Sequence, residues 1–345
     1  MNIVHQKMID AIIQKAGKVC PDSLALIGLY GSVATGDIHE KSDLDLLILI
    51  NDDHGWQLAD AFLLDDAEIG YDLYCTSWAM LEEDACCNHA HLSKLLNATL
   101  IYVKDPEAIA RLAELQSKAR ALLASDARHE KAQNAFANAK KMFADCFLTN
   151  DLAQIRISAG AVICFLLDSV MLHHGCYFQK GVKRTFEEIA LLDLAFDMPA
   201  QCMAVIQSKS AETIRAALSN LMRSVQDCLI QPKEKAIPSS EMLSGTYEEM
   251  FSNWRNKMQE AAEQNDLFSS FMNMVSFQFM HQELAETLLI EQQNIMECFD
   301  PHSTVSNAQA FDKAINKHLE EYKKAGIHPK HFANVDAFVS HYQRD

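Results

Sequence analysis

The spacing of apolar residues changes character once along this chain. Up to Asp105, compact apolar runs alternate with stretches of helical spacing. Residues 24–30 are almost wholly apolar and run into Gly31, which predicts a buried strand. Residues 42–50 open on Asp43 and Asp45 and continue as an unbroken aliphatic stretch, a second strand. Residues 69–75 predict a third strand, and 100–103 an edge strand stopped by Asp105 and Pro106. Helices are expected over 1–14, 56–64 and 78–85, the last with Ser77 as its N-cap.

Beyond Pro106 the strand pattern nearly vanishes. Apolar residues at three- and four-residue spacing predict helices over 106–123, 130–148, 152–173, 183–194, 211–230, 247–264, 269–289 and 308–325. The polar, proline-containing stretch 232–240 is the expected internal loop. The architecture predicted is an α/β (α+β) domain with a small mixed sheet over 1–105, then an all-helical bundle domain over 106–345. A length of 345 residues agrees with two domains.

Charge narrows the range of partners. Thirty Lys and Arg against 47 Asp and Glu leave a net charge of −17. Such a body repels phosphate backbones, so nucleic acid is disfavoured and a small or cationic substrate fits the sign better. None of the 10 Cys forms a CxxC pair, which points to free thiols in a reducing compartment. The N-terminus lacks the basic start and apolar block of a signal peptide, and the apolar run 159–172 contains Asp168 and is too short to span a bilayer. A cytoplasmic location without membrane attachment is the expectation.

One stretch carries chemistry. A predicted strand runs into Gly31-Ser32, ten residues follow, and the next strand opens with Asp43-Leu44-Asp45. Side chains two apart on a strand share a face, so the two carboxylates project together, repel each other and favour a shared cation. All-oxygen ligation completed by phosphate and water suits Mg²⁺. Gly31 lets the backbone approach a ligand, and Ser32 with the N–H groups of its turn can bind phosphate oxygens. No GxxxxGK[ST] is present, and Gly28, Gly31 and Gly36 have the wrong spacing for GxGxxG.

The Gly31-Ser32 and Asp43-x-Asp45 combination resembles the signature of the DNA polymerase beta-like nucleotidyltransferase superfamily. A minimal domain of that kind followed by helices is similar to the aminoglycoside and lincosamide nucleotidyltransferases. The resemblance covers about the first third of the chain. Softer likenesses to bacterial proteins of this type lie around Ser244-Gly245-Thr246-Tyr247 and Trp254-Arg255. The superfamily commonly adds a third carboxylate on a neighbouring strand, for which Asp72 is the natural candidate; Asp65, Asp66 and Glu68 precede that strand. The resemblance implies that Asp43, Asp45 and Asp72 hold one or two Mg²⁺ ions, with Asp72 alternatively acting as base. It further implies a nucleoside triphosphate, ATP or another, whose monophosphate passes to an acceptor hydroxyl as pyrophosphate leaves.

Other features divide between binding and plain structure. Lys180, Lys183 and Arg184 form a basic turn in an acidic chain, suited either to a triphosphate or to pairing with Glu187 and Glu188. Cys86, Cys87, His89 and His91 lack a second cluster that would complete a zinc site, so ordinary helix positions are preferred. His173 and His174 read as helix C-terminal residues, and Asp168 as part of a polar stripe. The Met and Phe residues over 268–280 suit a helical core or a homodimer surface. The function expected is transfer of AMP from ATP to a small, cationic, aminoglycoside-like acceptor. The rivals are a protein-modifying adenylyltransferase, an antitoxin-like relative, and a catalytically silent nucleotide-binding protein.

Overall fold

The computed structural model describes residues 3–38, 42–65, 68–231 and 234–343. The chain forms two compact units, Met1–Ile230 and Gln231–Asp345. The boundary by packing therefore falls at Ile230, whereas the change of apolar pattern falls at Asp105.

In the first unit, α1 (Ile3–Val19) leads to β1 (Leu24–Leu29), a single short helical segment α2 (Gly31–Thr35) and β2 (Leu46–Ile50). Next come a 3₁₀ turn over Asp53–Leu58, β3 (Asp60–Leu64), β4 (Ile69–Leu73), β5 (Cys75–Ser77), α3 (Trp78–Asp84), α4 (Ser93–Asn97) and β6 (Thr99–Val103). The main sheet has the order β5-β2-β1-β6, with β1 antiparallel to both neighbours and β5 parallel to β2. It is the small mixed sheet that the pattern predicts. Ser77 caps α3 as expected, its hydroxyl accepting the Met80 N–H at 3.3 Å.

Two expectations change. Residues 60–64 are a strand, not the end of a helix: they pair antiparallel with β4 to make a separate two-stranded ribbon, so cross-strand pairing in a hairpin overrides the helical spacing. The second strand starts at Leu46 and leaves Asp43 and Asp45 in the approach to it. Its partner β1 ends at Leu29, opposite Leu46, because Gly31 at φ 67° turns the chain into α2. One ladder-like contact persists beyond that point, from Tyr30 N–H to the Asp45 carbonyl at 3.2 Å.

The helices α5 (Pro106–Ala124), α6 (Ala127–Leu148), α7 (Leu152–His173), α8 (Thr185–Ile189), α9 (Met198–Gln207) and α10 (Ala211–Cys228) complete this unit. Alternation along β2 sends Leu46, Ile48 and Ile50 to the α1 face, with Ile9 and Ile12. Leu47 and Leu49 join the opposite core, which continues through Leu81, Leu112 and Ile155 to Leu221. The Leu47 and Leu49 face of the sheet thus shares one apolar interior with the helices to Cys228. The expected helix 183–194 shrinks to a 3₁₀ turn over Val182–Arg184 and α8. By length and composition α7 is long and apolar enough to cross a bilayer, contrary to the shorter run inferred from sequence; it packs against α6 and α10 in this core.

The second unit holds α11 (Ser240–Leu243), α12 (Thr246–Met250), a π turn over Phe251–Arg255, α13 (Asn256–Gln264), α14 (Leu267–Thr287), α15 (Thr304–Lys324) and α16 (Val335–Tyr342). In the loop expected over 232–240, residues 232 and 233 lie outside the described residues, and Ala236 bridges to Leu288. Along α14 the Met and Phe residues divide: Met274 and Phe277 are core, while Phe268 and Phe279 are exposed. A buried polar group lies beside this core. His318 donates from Nε2 to the Thr246 hydroxyl at 2.9 Å, because that hydroxyl's own proton goes to the Leu243 carbonyl at 2.8 Å. Its Nδ1, and that of His281, are buried without a hydrogen-bond partner among the described residues.

Candidate active site

The turn after β1 places two groups side by side. A Cβ on Gly31 would fall 1.9 Å from Asp45 Oδ2 and 2.5 Å from its Cγ, so the carboxylate lies directly against the glycine backbone. Only a residue without a side chain fits there, and Gly31 also has a positive φ of 67°. The Ser32 N–H donates to the Asp45 carboxylate. Asp45 is half-buried, and burial pushes its carboxyl above the usual range, the charge of Asp43 adding to the effect and the Ser32 N–H opposing it. The two acids therefore feel each other, as the Asp-x-Asp spacing predicts. The Ser32 hydroxyl oxygen is buried with no hydrogen-bond partner among the described residues. A buried hydroxyl is seldom left so, and this one sits beside two carboxylates in need of a cation.

These residues border a depression of about 650 Å³, which Tyr30, Asp37, Ser93 and residues 179–183 complete. Tyr30 stays a neutral phenol there: burial pushes it up to about 12, with Asp45, Asp43, Asp84 and Asp72 adding. A second depression of about 410 Å³ lies over the ribbon and is lined by Asp43, Phe62, Leu63, Tyr71 and Asp72. Asp43 belongs to both. Asp72 stands opposite Ala61 on the exposed face of β4 and borders the second depression, not the first. The ribbon, rather than a strand of the main sheet, carries it. Of its neighbours, Asp65 and Glu68 lie in the connection between β3 and β4, Glu68 at φ 48°, and Asp66 lies outside the described residues.

Among the described residues no group of three or more His, Cys, Asp or Glu side chains is arranged to hold a metal. The donor set still suits a hard cation. Two mutually repelling carboxylates supply part of an oxygen shell, and Mg²⁺ commonly takes the rest from water and substrate phosphates.

The basic turn divides. Lys180 and Lys183 border the larger depression, whereas Arg184 does not. Arg184 grips Asp37, Nε to Oδ2 at 3.0 Å and Nη2 to Oδ1 at 2.7 Å, and reaches Glu187 at 2.6 Å. Asp37 carries no signal in the sequence that would select it, since its partner Arg184 comes from a distant segment.

The remaining candidates are tied into structure. The Cys87 thiol points at the Ala119 carbonyl at 3.8 Å, His89 Nε2 lies 3.3 Å from Asp84, and His91 stacks on Phe178 at 5.0 Å. Asp168 lies on no polar stripe: it is buried, pushed up by that burial, and accepts the Ala90 N–H at 2.8 Å. His174 Nδ1 meets the Val170 carbonyl at 2.9 Å in the last turn of α7, in keeping with a C-terminal role.

Residues 10–74 match the family model of the nucleotidyltransferase domain, a span that includes β1, Gly31-Ser32, Asp43, Asp45 and Asp72. This segment is similar to the nucleotidyltransferase domain, a domain of transferases. No curated protein matches the chain. Among solved structures, a nucleotidyltransferase-like protein from Exiguobacterium sibiricum 255-15 aligns at 16% identity over 82% of this chain and 92% of that chain, with a TM-score of 0.37.

Proposed function

We propose that this chain is a Mg²⁺-dependent nucleotidyltransferase of the cytoplasm. In this reading it moves a nucleoside monophosphate, AMP from ATP, to a hydroxyl of a small cationic acceptor of aminoglycoside type and releases pyrophosphate. The observation that carries this is the buried, unpartnered Ser32 hydroxyl beside the Asp43 and Asp45 carboxylates, inside the segment that matches the nucleotidyltransferase domain. Residues 1–105 supply the carboxylates, and the helical remainder supplies cations from the loop after α7.

Each side chain then has a task. Asp43 and Asp45 would hold the cation, which would supply positive charge against the phosphates. The Ser32 hydroxyl donates to a phosphate oxygen, and Lys180 and Lys183 offset the charge of the triphosphate tail. Asp72, in the depression it shares with Asp43, takes the proton of the acceptor hydroxyl. The acceptor oxygen bonds to the α-phosphorus as the bond to the bridging oxygen breaks, so the electron pair leaves with pyrophosphate. The two carboxylates that line the second depression favour a cationic acceptor.

The test is pyrophosphate release from each of the four common nucleoside triphosphates with Mg²⁺ and a panel of aminoglycosides. Asp43→Asn and Asp45→Asn should each abolish release while circular dichroism stays unchanged. Undiminished turnover in both variants would overturn the site. Label transferred from ATP to protein in a lysate, with none on the aminoglycosides, would move the acceptor to a macromolecule.

A further inference from the structure

Residues 179–183 wall the larger depression, and this wall is tied down at both ends. At one end Phe178 is buried and its N–H donates to the Ala90 carbonyl at 2.8 Å. The Glu188 carboxylate there accepts the N–H groups of Gln179 and Lys180, at 2.9 and 3.2 Å. At the other end Arg184 holds Asp37 through two hydrogen bonds, and Lys183 adds contacts of 3.2 Å to the Asp37 carbonyl and 3.6 Å to its carboxylate. Asp37 follows Gly36, the left-handed stop of the same short turn that carries Ser32. The pair therefore joins the Ser32 turn to a loop 147 residues further along the chain. The Arg184 hydrogen bonds hold the Asp37 carboxyl well below the usual carboxylate range, at about 2.

Within the tethered loop the free cation is Lys180. Among the described residues no carboxylate pairs with its ammonium, and it borders the depression together with Lys183. Arg184 has its guanidinium engaged by Asp37 and Glu187 and lies outside the lining. A planar fork on a carboxylate fixes distance and direction, which a lysine in its place could not do.

We infer that the Asp37–Arg184 pair is a positioning latch, which holds Lys180 and Lys183 at the depression for the triphosphate while Arg184 itself touches no part of the nucleotide. The inference rests on the nucleotide reading given above. Without the latch the two lysines must be ordered at the moment of binding, and the affinity for the triphosphate falls by that ordering cost.

Calorimetric titration of the full chain with Mg·ATP, and separately with adenosine, tests the latch. Asp37→Asn and Arg184→Gln should each weaken Mg·ATP by about tenfold, the scale of one charge-assisted hydrogen bond, and the double variant should be no weaker than either. Adenosine affinity should stay put, while the thermal midpoint falls modestly in each variant, because the pair also ties the two segments together in the free protein. Arg184→Lys should not restore affinity. Lys180→Gln should weaken Mg·ATP in the unaltered background and add nothing in Arg184→Gln. The decisive variant is Asp37→Asn, because removing a negative charge beside a polyanion would by charge alone tighten binding. Tighter or equal Mg·ATP binding in Asp37→Asn, with Arg184→Gln weakened, would place Arg184 on the phosphates and overturn the latch. Unchanged affinity in both overturns the latch alone. Failure of the unaltered chain to bind Mg²⁺ complexes of ATP, CTP, GTP or UTP overturns the nucleotide reading and the latch with it.

Discussion

Replacing Gly31 by alanine separates backbone strain from the placement of a carboxylate, because Gly36 provides an internal control. Both glycines have positive φ, 67° and 75°, but a Cβ on Gly36 meets nothing within 4 Å, while one on Gly31 falls 1.9 Å from Asp45 Oδ2. Gly36→Ala therefore carries strain alone, about 1–2 kcal/mol for a left-handed residue with a Cβ. For a unit of this size that lowers the thermal midpoint by about 2–8 °C. Gly31→Ala carries the same strain, and its Asp45 carboxylate must also retreat by ~1 Å or more to reach an ordinary contact distance. Leaving that position loses the Ser32 N–H but relieves the burial that disfavours the charged form, so the two changes in stability should be similar. Function should divide them. A misplacement of ~1 Å in a reacting group costs about 10²-fold in rate. Thermal unfolding, Mg²⁺-dependent ATP binding and pyrophosphate release, measured on both variants, provide the comparison. Gly31→Ala that keeps the binding and turnover of Gly36→Ala would show that the reaction does not use Asp45 where it rests.

Three further outcomes are expected. Ser32→Ala removes a buried hydroxyl without a partner, so the nucleotide-free protein should unfold at the same or a slightly higher temperature while Mg·ATP binding weakens; a clear loss of stability would reveal a partner for that hydroxyl. Asp45→Asn removes a charge that burial disfavours, so its thermal midpoint without metal should rise at neutral pH, and added Mg²⁺, which stabilises the parent by binding it, should no longer raise it. An equal Mg²⁺ response in both proteins would refute the assignment of that ligand. His318 is held down to about 4 from 6.5 by burial and by His281, so the folded state takes up its proton later than the unfolded state. The stability of the second unit should then be complete above pH 6.5 and fall by roughly 3 kcal/mol as pH approaches 4, a slope that urea titrations should find flattened in His318→Gln.

The candidate site was legible wherever its parts are close in sequence. Gly31, Ser32 and Asp45 meet because β1 and β2 pair up to Leu29 and Leu46, which brings the residues just beyond each strand end together; the strand itself does not reach Asp43 or Asp45. Asp72 was legible as a carboxylate on a strand but not as part of a separate ribbon, since residues 60–64 show no strand until β4 lies beside them. The basic turn was legible as charge alone. Which of its cations stays free depends on Asp37, and no local pattern announces a partner 147 residues away. Asp168 is hidden for a related reason: its companion is the Ala90 backbone, 78 residues distant and invisible to any periodicity. Of the helices beyond Pro106 the long ones follow from apolar spacing, whereas α9 and α16 do not and 183–194 is mostly not helical; nor does the spacing say which helices close over the sheet, because an apolar stripe records burial but not the surface that buries it.

Asp43 borders both depressions, and that sharing has a thermodynamic meaning. A carboxylate has one charge, so a positive group that settles on it from the first chamber leaves less field for a guest in the second. Occupancy of either chamber then alters the affinity of the other, and linkage requires the factor to be the same in both directions. For a cationic guest the sign is antagonistic, and for a neutral or anionic one it reverses. The order in which guests enter thus becomes a readable property of one side chain, and a competition titration between a divalent ion and any candidate for the ribbon chamber would report the charge of that candidate before its identity is known.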